Sequence, residues 1–268
     1  MKNCAQPMRL IRLFLSVMLT TSLLAGCQSS AGPAPTPSTQ DAGLYAWYRA
    51  DAGAESIPHN DEQLVYRWAD RSGHRRDLGI DPLGTARWPS LIDDAVNGEP
   101  AIRLGGQACL ISTPDIFGSL DGPKTVFVVA QVRDAARGFV YDSADESGRN
   151  TLHTGNGIDR GTWDVNSGAV HGTTIGPAVL NDTWQTHTVI YDEAQNRHAI
   201  NGRQVSSGDF IVHPLTGLTL GCRYNQILFI DADIAELIIY RGVLNKAHRQ
   251  SIEAYLMRRY QIDASPPH

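Results

Sequence analysis

Three carboxylates fall within six residues at Asp231-Ala232-Asp233-Ile234-Ala235-Glu236. Two carboxyl groups about 5 Å apart can cleave a glycosidic bond with retention, one as nucleophile and one as acid/base. If the stretch is a strand, its period of two puts Asp231 and Asp233 on one face. Glu236 falls out of phase with them unless a bulge intervenes.

A different chemistry gathers around Trp163. Sugars present C–H faces to aromatic rings and hydroxyls to Asp, Asn and Arg side chains. Between Asn156 and Asn166, Trp163 is surrounded by Asp159, Arg160, Asp164 and Asn166, which makes this stretch the candidate saccharide subsite. The competing reading has Trp163 closing a strand over the core. Asp142, Asp145 and Glu146, in DSADES, carry oxygen ligands of the kind that hold Ca²⁺ on a loop. Their competing reading is a solvated acidic turn, so calcium is the one cofactor the chain could hold and none is required. His153 and His171 stand 18 residues apart without ligand-like spacing and read as surface residues. No GxSxG, HExxH, CxxC or GxxxxGK[ST] occurs.

The amino-terminal residues speak to compartment. Lys2, Arg9 and Arg12 precede an uncharged, mostly apolar run from Leu13 to Ala25, the pattern of a secretory signal rather than a membrane span. Leu24-Ala25-Gly26-Cys27 resembles the lipobox of bacterial lipoproteins, which implies cleavage after residue 26 and acylation of Cys27. An ordinary signal peptide with a chance cysteine is the alternative. Gln28 to Gln40, QSSAGPAPTPSTQ, is too poor in apolar residues to build a core and reads as an extended tether, with residues 27–42 as lipidated cysteine and linker. Several acyl chains would anchor the protein durably to a membrane. Gln28 is not the aspartate linked to inner-membrane retention in enteric bacteria, which favours the outer membrane of a bacterial cell envelope. Loss of residues 1–26 leaves 20 Lys+Arg against 28 Asp+Glu, a net charge of −8 that argues against nucleic acid or anionic lipid as a partner. Of four cysteines, Cys109 and Cys222 then remain in an oxidising compartment, either as one disulfide or as two separately buried thiols.

The folded part is a series of short strands and one helix. Thr125 to Val132 (TVFVVAQV) is apolar on both faces and predicts a central strand covered on each side. Trp184 to Tyr191, Arg197 to Val205, Leu218 to Cys222 and Ile234 to Tyr240 are further strands, and Asn201-Gly202 predicts a type I′ hairpin turn. Strands at this spacing suggest a sandwich or jelly roll. Asn245 is a good helix N-cap, Ile252, Tyr255, Leu256 and Tyr260 form an apolar stripe, and Arg258 and Arg259 suit the negative end of the helix dipole.

Taken in order, LYAWYRADAG from Leu44, WADRSGHRRDL from Trp68, WPSLIDDAVNGEPAIRLGG from Trp88, TVFVVAQV, WQTHTVIYDEAQNRHAINGRQV from Trp184 and DIAELIIYRGVLNKAHRQSIEAYL from Asp233 resemble the laminin-G-like domains of the concanavalin A-like lectin/glucanase superfamily. The resemblance spans residues 43–262 and is weakest from Gly138 to Leu180. It implies an all-β, two-sheet antiparallel jelly-roll sandwich with a C-terminal helix packed outside, followed by a disordered tail over 263–268. It makes Trp47, Trp68 and Trp184 packing residues. The acidic stretch departs from the glucanase motif, having Asp231 where that motif has its leading Glu, and it aligns with the family's closing strand. The expectation is therefore a non-catalytic, lipid-anchored envelope protein that binds carbohydrate or another surface ligand near Trp163. A structural or adhesion module for a protein partner, and a diverged glycoside hydrolase, are the alternatives.

Overall fold

The Asp231–Arg241 strand is the axis of the molecule. It pairs with Lys124–Asp134 along one edge, and with Leu44–Arg49 and Glu99–Arg103 in succession along the other. From Lys124–Asp134 the same layer continues through Thr183–Tyr191, Asn196–Ile200 and Arg203–Gly208. The computed structural model describes residues 36–81, 84, 86–155, 161–168 and 173–264, the side chain of Thr173 excepted.

A second layer runs from Ala54–His59 through Glu62–Trp68, Leu78–Ile80, Leu110–Ser112 and Leu218–Leu220. It goes on through Gly138–Asp142, Asn150–Thr154 and Thr162–Ser167 to Thr173–Ala178. All these ladders are antiparallel. Ser90–Val96 pairs with both Glu62–Trp68 and Glu99–Arg103 and so stitches the layers along one side. On the other side the Ser206 hydroxyl donates to Thr174 across 3.1 Å, bringing the two outermost strands together. The result is a nearly closed, barrel-like antiparallel sandwich. Closure removes most of the unpaired strand edge that an open sheet would expose.

The interior between the layers holds Trp68, Tyr48, Val128, Leu152, Trp163 and Leu237, all buried. A second apolar cluster lies on the outer face of the first layer, where Phe127, Val129 and Ile238 meet Ile252, Tyr255 and Leu256 of the Lys246–Arg259 helix. This explains TVFVVAQV: Val126 and Val128 point inward while Phe127 and Val129 lie under the helix, so both faces of the strand are apolar. The helix begins as the sequence predicts. Asn245 Oδ1 accepts a hydrogen bond from the His248 N–H at 2.9 Å, satisfying one free donor of the first turn.

Glu236 fastens the helix from beneath. A bulge interrupts the register between Ile234 and Glu236, and Glu236 faces the helix. Its carboxyl accepts from Trp47 Nε1 at 2.7 Å, from Tyr260 Oη at 2.9 Å and from Tyr255 Oη at 3.3 Å. Burial pushes its pKa up to about 7, while the bonds from Trp47 and Tyr260 pull it back toward the ordinary value. Cys109 and Cys222 form a disulfide, with Cα atoms 5.6 Å apart, beside the Leu110–Ser112 and Leu218–Leu220 pairing.

Candidate functional site

The residues singled out from sequence do not assemble where they were expected. Trp163 is 1% exposed and belongs to the interior, with its ring 4.2 Å from that of His187. It is therefore not an exposed platform for sugar. Its strand alternates: Trp163 and Val165 point inward, so Asp164 and Asn166 lie on the opposite face. Asp164 is fully buried, 3.8 Å from His153 Nε2. His153 is also buried, stacked 4.7 Å from Phe139, and is not a surface residue. Asp159, Arg160, His171 and Cys27 lie outside the described residues.

The acidic loop is likewise divided. Asp142 is buried and takes Arg149 Nη2 at 2.6 Å and the Tyr224 N–H at 3.1 Å. Asp145 accepts from the Ser147 N–H at 2.8 Å, and Glu146 accepts from Tyr224 Oη at 2.7 Å. Asp142 and Glu146 thus meet different atoms of Tyr224 while Asp145 turns back on Ser147, so all three carboxylates are occupied by protein donors. Among the described residues no group of three His, Cys, Asp or Glu side chains could hold a metal ion. In the acidic strand, Asp233 forms a two-pronged pair with Arg103 at 2.8 and 2.7 Å, Asp231 lies 3.4 Å from Arg133, and Glu236 is enclosed beneath the helix.

A groove of about 680 Å³ instead opens where three chain reversals meet at the end of the terminal helix. Asn97-Gly98 turns the chain from Ser90–Val96 into Glu99–Arg103, and Asn201-Gly202 does the same between Asn196–Ile200 and Arg203–Gly208. Both asparagines have positive φ, 51° and 49°, which asparagine tolerates and a type I′ turn requires. The third reversal is Gln261, at φ 49°, just after the helix. Trp184, half-buried near the start of its strand, lines the same groove.

Several contacts hold this arrangement in place. Asn97 Nδ2 donates to the carbonyl of Arg259 at 3.2 Å, tying the first turn to the helix end. Arg259 reaches Asp51 at 2.8 Å and Glu99 at 2.5 Å; burial works to lower its pKa, but Tyr260 first, then Asp51 and Tyr255, raise it overall. Asn201 Oδ1 accepts from the Thr186 N–H at 2.9 Å and locks the second turn against the strand that carries Trp184. Tyr260 forms part of the wall and is held from below by Glu236; burial raises the pKa of its hydroxyl. Asn97, Gln261 and Asp263 are exposed. The groove therefore offers a half-buried indole beside amide donors and acceptors and one carboxylate. That is the composition of a site that orients a polyhydroxylated ring: one apolar face to stack on, with a few polar groups fixing the hydroxyls. Trp184 packs against the apolar cluster under the helix, as its sequence context implies, and its position at the groove is the part that sequence does not show. The available signal was the pair of Asn-Gly turns, at 97 and 201, which present polar side chains at a strand end.

No protein-family model and no curated protein matches the sequence. Solved structures do match. Domain 4 of AbnA, a GH43 extracellular arabinanase from Geobacillus stearothermophilus, in complex with arabinotriose, matches with a TM-score of 0.55 and 18% identity over 80% of this chain and 98% of its own. A GH54 α-L-arabinofuranosidase soaked with 4-nitrophenyl α-L-arabinofuranoside gives 0.58 and 13% over 84% of this chain, which spans 60% of that enzyme. Trypanosoma rangeli sialidase in complex with sialic acid gives 0.54 and 11%, over 83% of this chain and 34% of its own. At these identities the likeness is one of fold: this chain has the antiparallel sandwich found in domains of these glycoside hydrolase proteins.

Proposed function

We propose that this protein is a non-catalytic carbohydrate-binding module that holds a neutral saccharide chain in the groove at Trp184. The observation that carries the reading is the convergence of one half-buried indole with Asn97, Gln261 and Asp263 in an open groove. The arabinotriose carried by the GH43 domain supports the ligand class, and arabino-oligosaccharides are the first probes to use. The fold is read as a concanavalin A-like jelly roll of the laminin-G-like kind. The pairing of Asp233 with Arg103 and the enclosure of Glu236 support a binding role over hydrolysis. Acylation at Cys27 would tether the domain to the bacterial outer membrane.

The test is a titration of the full chain with arabinotriose and a panel of neutral oligosaccharides, repeated with Trp184→Ala. Loss of at least tenfold in affinity is expected, on the scale of about 1.4 kcal/mol or more. Undiminished binding by Trp184→Ala would remove the groove as the site. Release of reducing sugar by the purified chain would replace the binding reading with hydrolysis. Mass spectrometry of the membrane-extracted protein, showing Cys27 as an acylated amino terminus, tests the anchor.

A further inference from the structure

A second groove, of about 560 Å³, lies on the outer face of the other layer, over Glu62–Trp68, Leu78–Ile80 and Leu110–Ser112. Its floor is Gly79, which stands between Arg67 and Ile111 in the sheet register. A side chain at Gly79 would meet nothing nearer than 4.0 Å, so the glycine leaves open space there. Two apolar side chains line the groove in contact with solvent: Tyr66 is 38% exposed and Ile116 54%.

The charges around this groove are unequally matched. Arg67 donates to Asp77 Oδ2 through Nη2 at 2.6 Å and Nε at 3.2 Å, and through Nη1 to Glu55. Asp77 also receives the Asp70 N–H at 2.7 Å. Both neighbouring carboxylates are thus taken up within the protein. Arg75 also lines the groove, is exposed, and makes no hydrogen bond or ion pair among the described residues. Its backbone sits at φ 59°, in the left-handed region that an arginine rarely adopts. The unmatched charge here is therefore a guanidinium, whose planar fork fits a carboxylate bidentately.

We propose that this groove binds a saccharide bearing a ring carboxylate, a uronate, with Arg75 taking the carboxylate and Tyr66 a face of the sugar ring. The site is separate from the Trp184 groove and does not depend on it. No bond is made or broken. The paired Arg67 and Asp77 side chains stand ready to orient ring hydroxyls, and the volume lies within the usual range of about 300–1,000 Å³ for small-ligand sites.

The experiment is calorimetric titration of the full chain with trigalacturonate and with its uncharged methyl ester. The acid should bind at least tenfold more tightly than the ester, and less tightly as salt is raised, because the charges are partly exposed. Arg75→Gly suits the left-handed backbone and removes only the side chain; it should weaken trigalacturonate at least tenfold, as should Arg75→Asn. Gly79→Leu should fill the floor and do the same. Trp184→Ala should leave trigalacturonate binding unchanged, which separates this site from the neutral-saccharide groove. Equal binding of acid and ester, no binding of either, full affinity in Arg75→Gly and Arg75→Asn, or loss in Trp184→Ala would each overturn the proposal.

Discussion

Two tryptophans with similar sequence surroundings have opposite fates, and their substitution should separate stability from binding. Trp163 is interior and packs against a histidine pair, His187 and His198, whose Nδ1 and Nε2 atoms lie 3.0 Å apart. Trp163→Ala should cost about 3–5 kcal/mol, as for a large aromatic cut from a packed core. Trp184→Ala, half-buried at the groove, should lower the denaturation midpoint far less while weakening neutral-saccharide binding at least tenfold. Urea unfolding of both variants beside a binding titration checks the contrast. Burial in Thr162–Ser167 hides the distinction from sequence, because Trp163, Asp164 and Val165 are all buried and polarity gives no inward direction. Glu236 supplies a second prediction. Its folded pKa is raised from 4.5 to about 7, so its contribution is full below pH ~4.5 and is lost as pH rises through about 7. The histidine pair has the opposite sign. Burial drops His198 to about 3 and lowers His187 as well, so their contribution is present above pH ~6.5 and is lost as pH falls. Glu236→Gln should therefore gain on the parent between pH 5 and pH 8.5 by roughly 2–3 kcal/mol, at ~1.4 kcal/mol per pKa unit. Urea unfolding at the two pH values measures it, and a pH-independent difference would show that Glu236 does not titrate in this range.

At the scale of elements, the terminal helix is the piece that sequence renders best. Asn245 caps it, and Ile252, Tyr255, Leu256 and Tyr260 are buried against the sheet. Cap and stripe are local signals, set by backbone geometry within a few residues, so they can be read without knowing the partner surface. The Thr125 to Val132 run is legible for the same reason, since a strand apolar on both faces needs cover on both. The bulge before Glu236 is not legible. It depends on pairing with residues more than a hundred positions away in the chain, and it decides which face the carboxyl takes. The groove is harder still, because residues 97, 184, 201 and 261 meet only after the sheet has closed. Asn245→Ala should lower stability by about 1 kcal/mol through the lost cap. Its affinity for saccharide should stay near that of the parent, because at the far end Glu236 holds Tyr260 and Asn97 holds the Arg259 carbonyl. Chemical denaturation and a titration on the same preparation report both quantities; a large loss of affinity would mean that the first helical turn helps to position the groove.

For the whole molecule, the question is what keeps a long, mostly non-local chain closed. The layers meet through ladders between distant segments, and such contacts must overcome loop-closure entropy before they stabilise anything. The Cys109–Cys222 bridge acts on that same cost. It joins positions separated by 113 residues and sits beside the ladder of Leu110–Ser112 with Leu218–Leu220, so it restricts the unfolded chain across nearly half of its length. For a loop of this size the entropic contribution approaches ~4–5 kcal/mol, and measured bridges deliver roughly 2–5 kcal/mol. Both cysteines are fully buried, so reduction should require prior opening of this end of the sandwich. The oxidised chain should therefore unfold at a clearly higher urea midpoint than the chain unfolded and refolded in reductant, with a smaller m-value because its unfolded state is more compact. A Cys109→Ala/Cys222→Ala double variant should match the reduced protein, since it lacks the bridge without leaving free thiols. Coincident midpoints for oxidised and reduced protein would mean that the ladders alone close the sandwich and that the bridge adds no measurable stability.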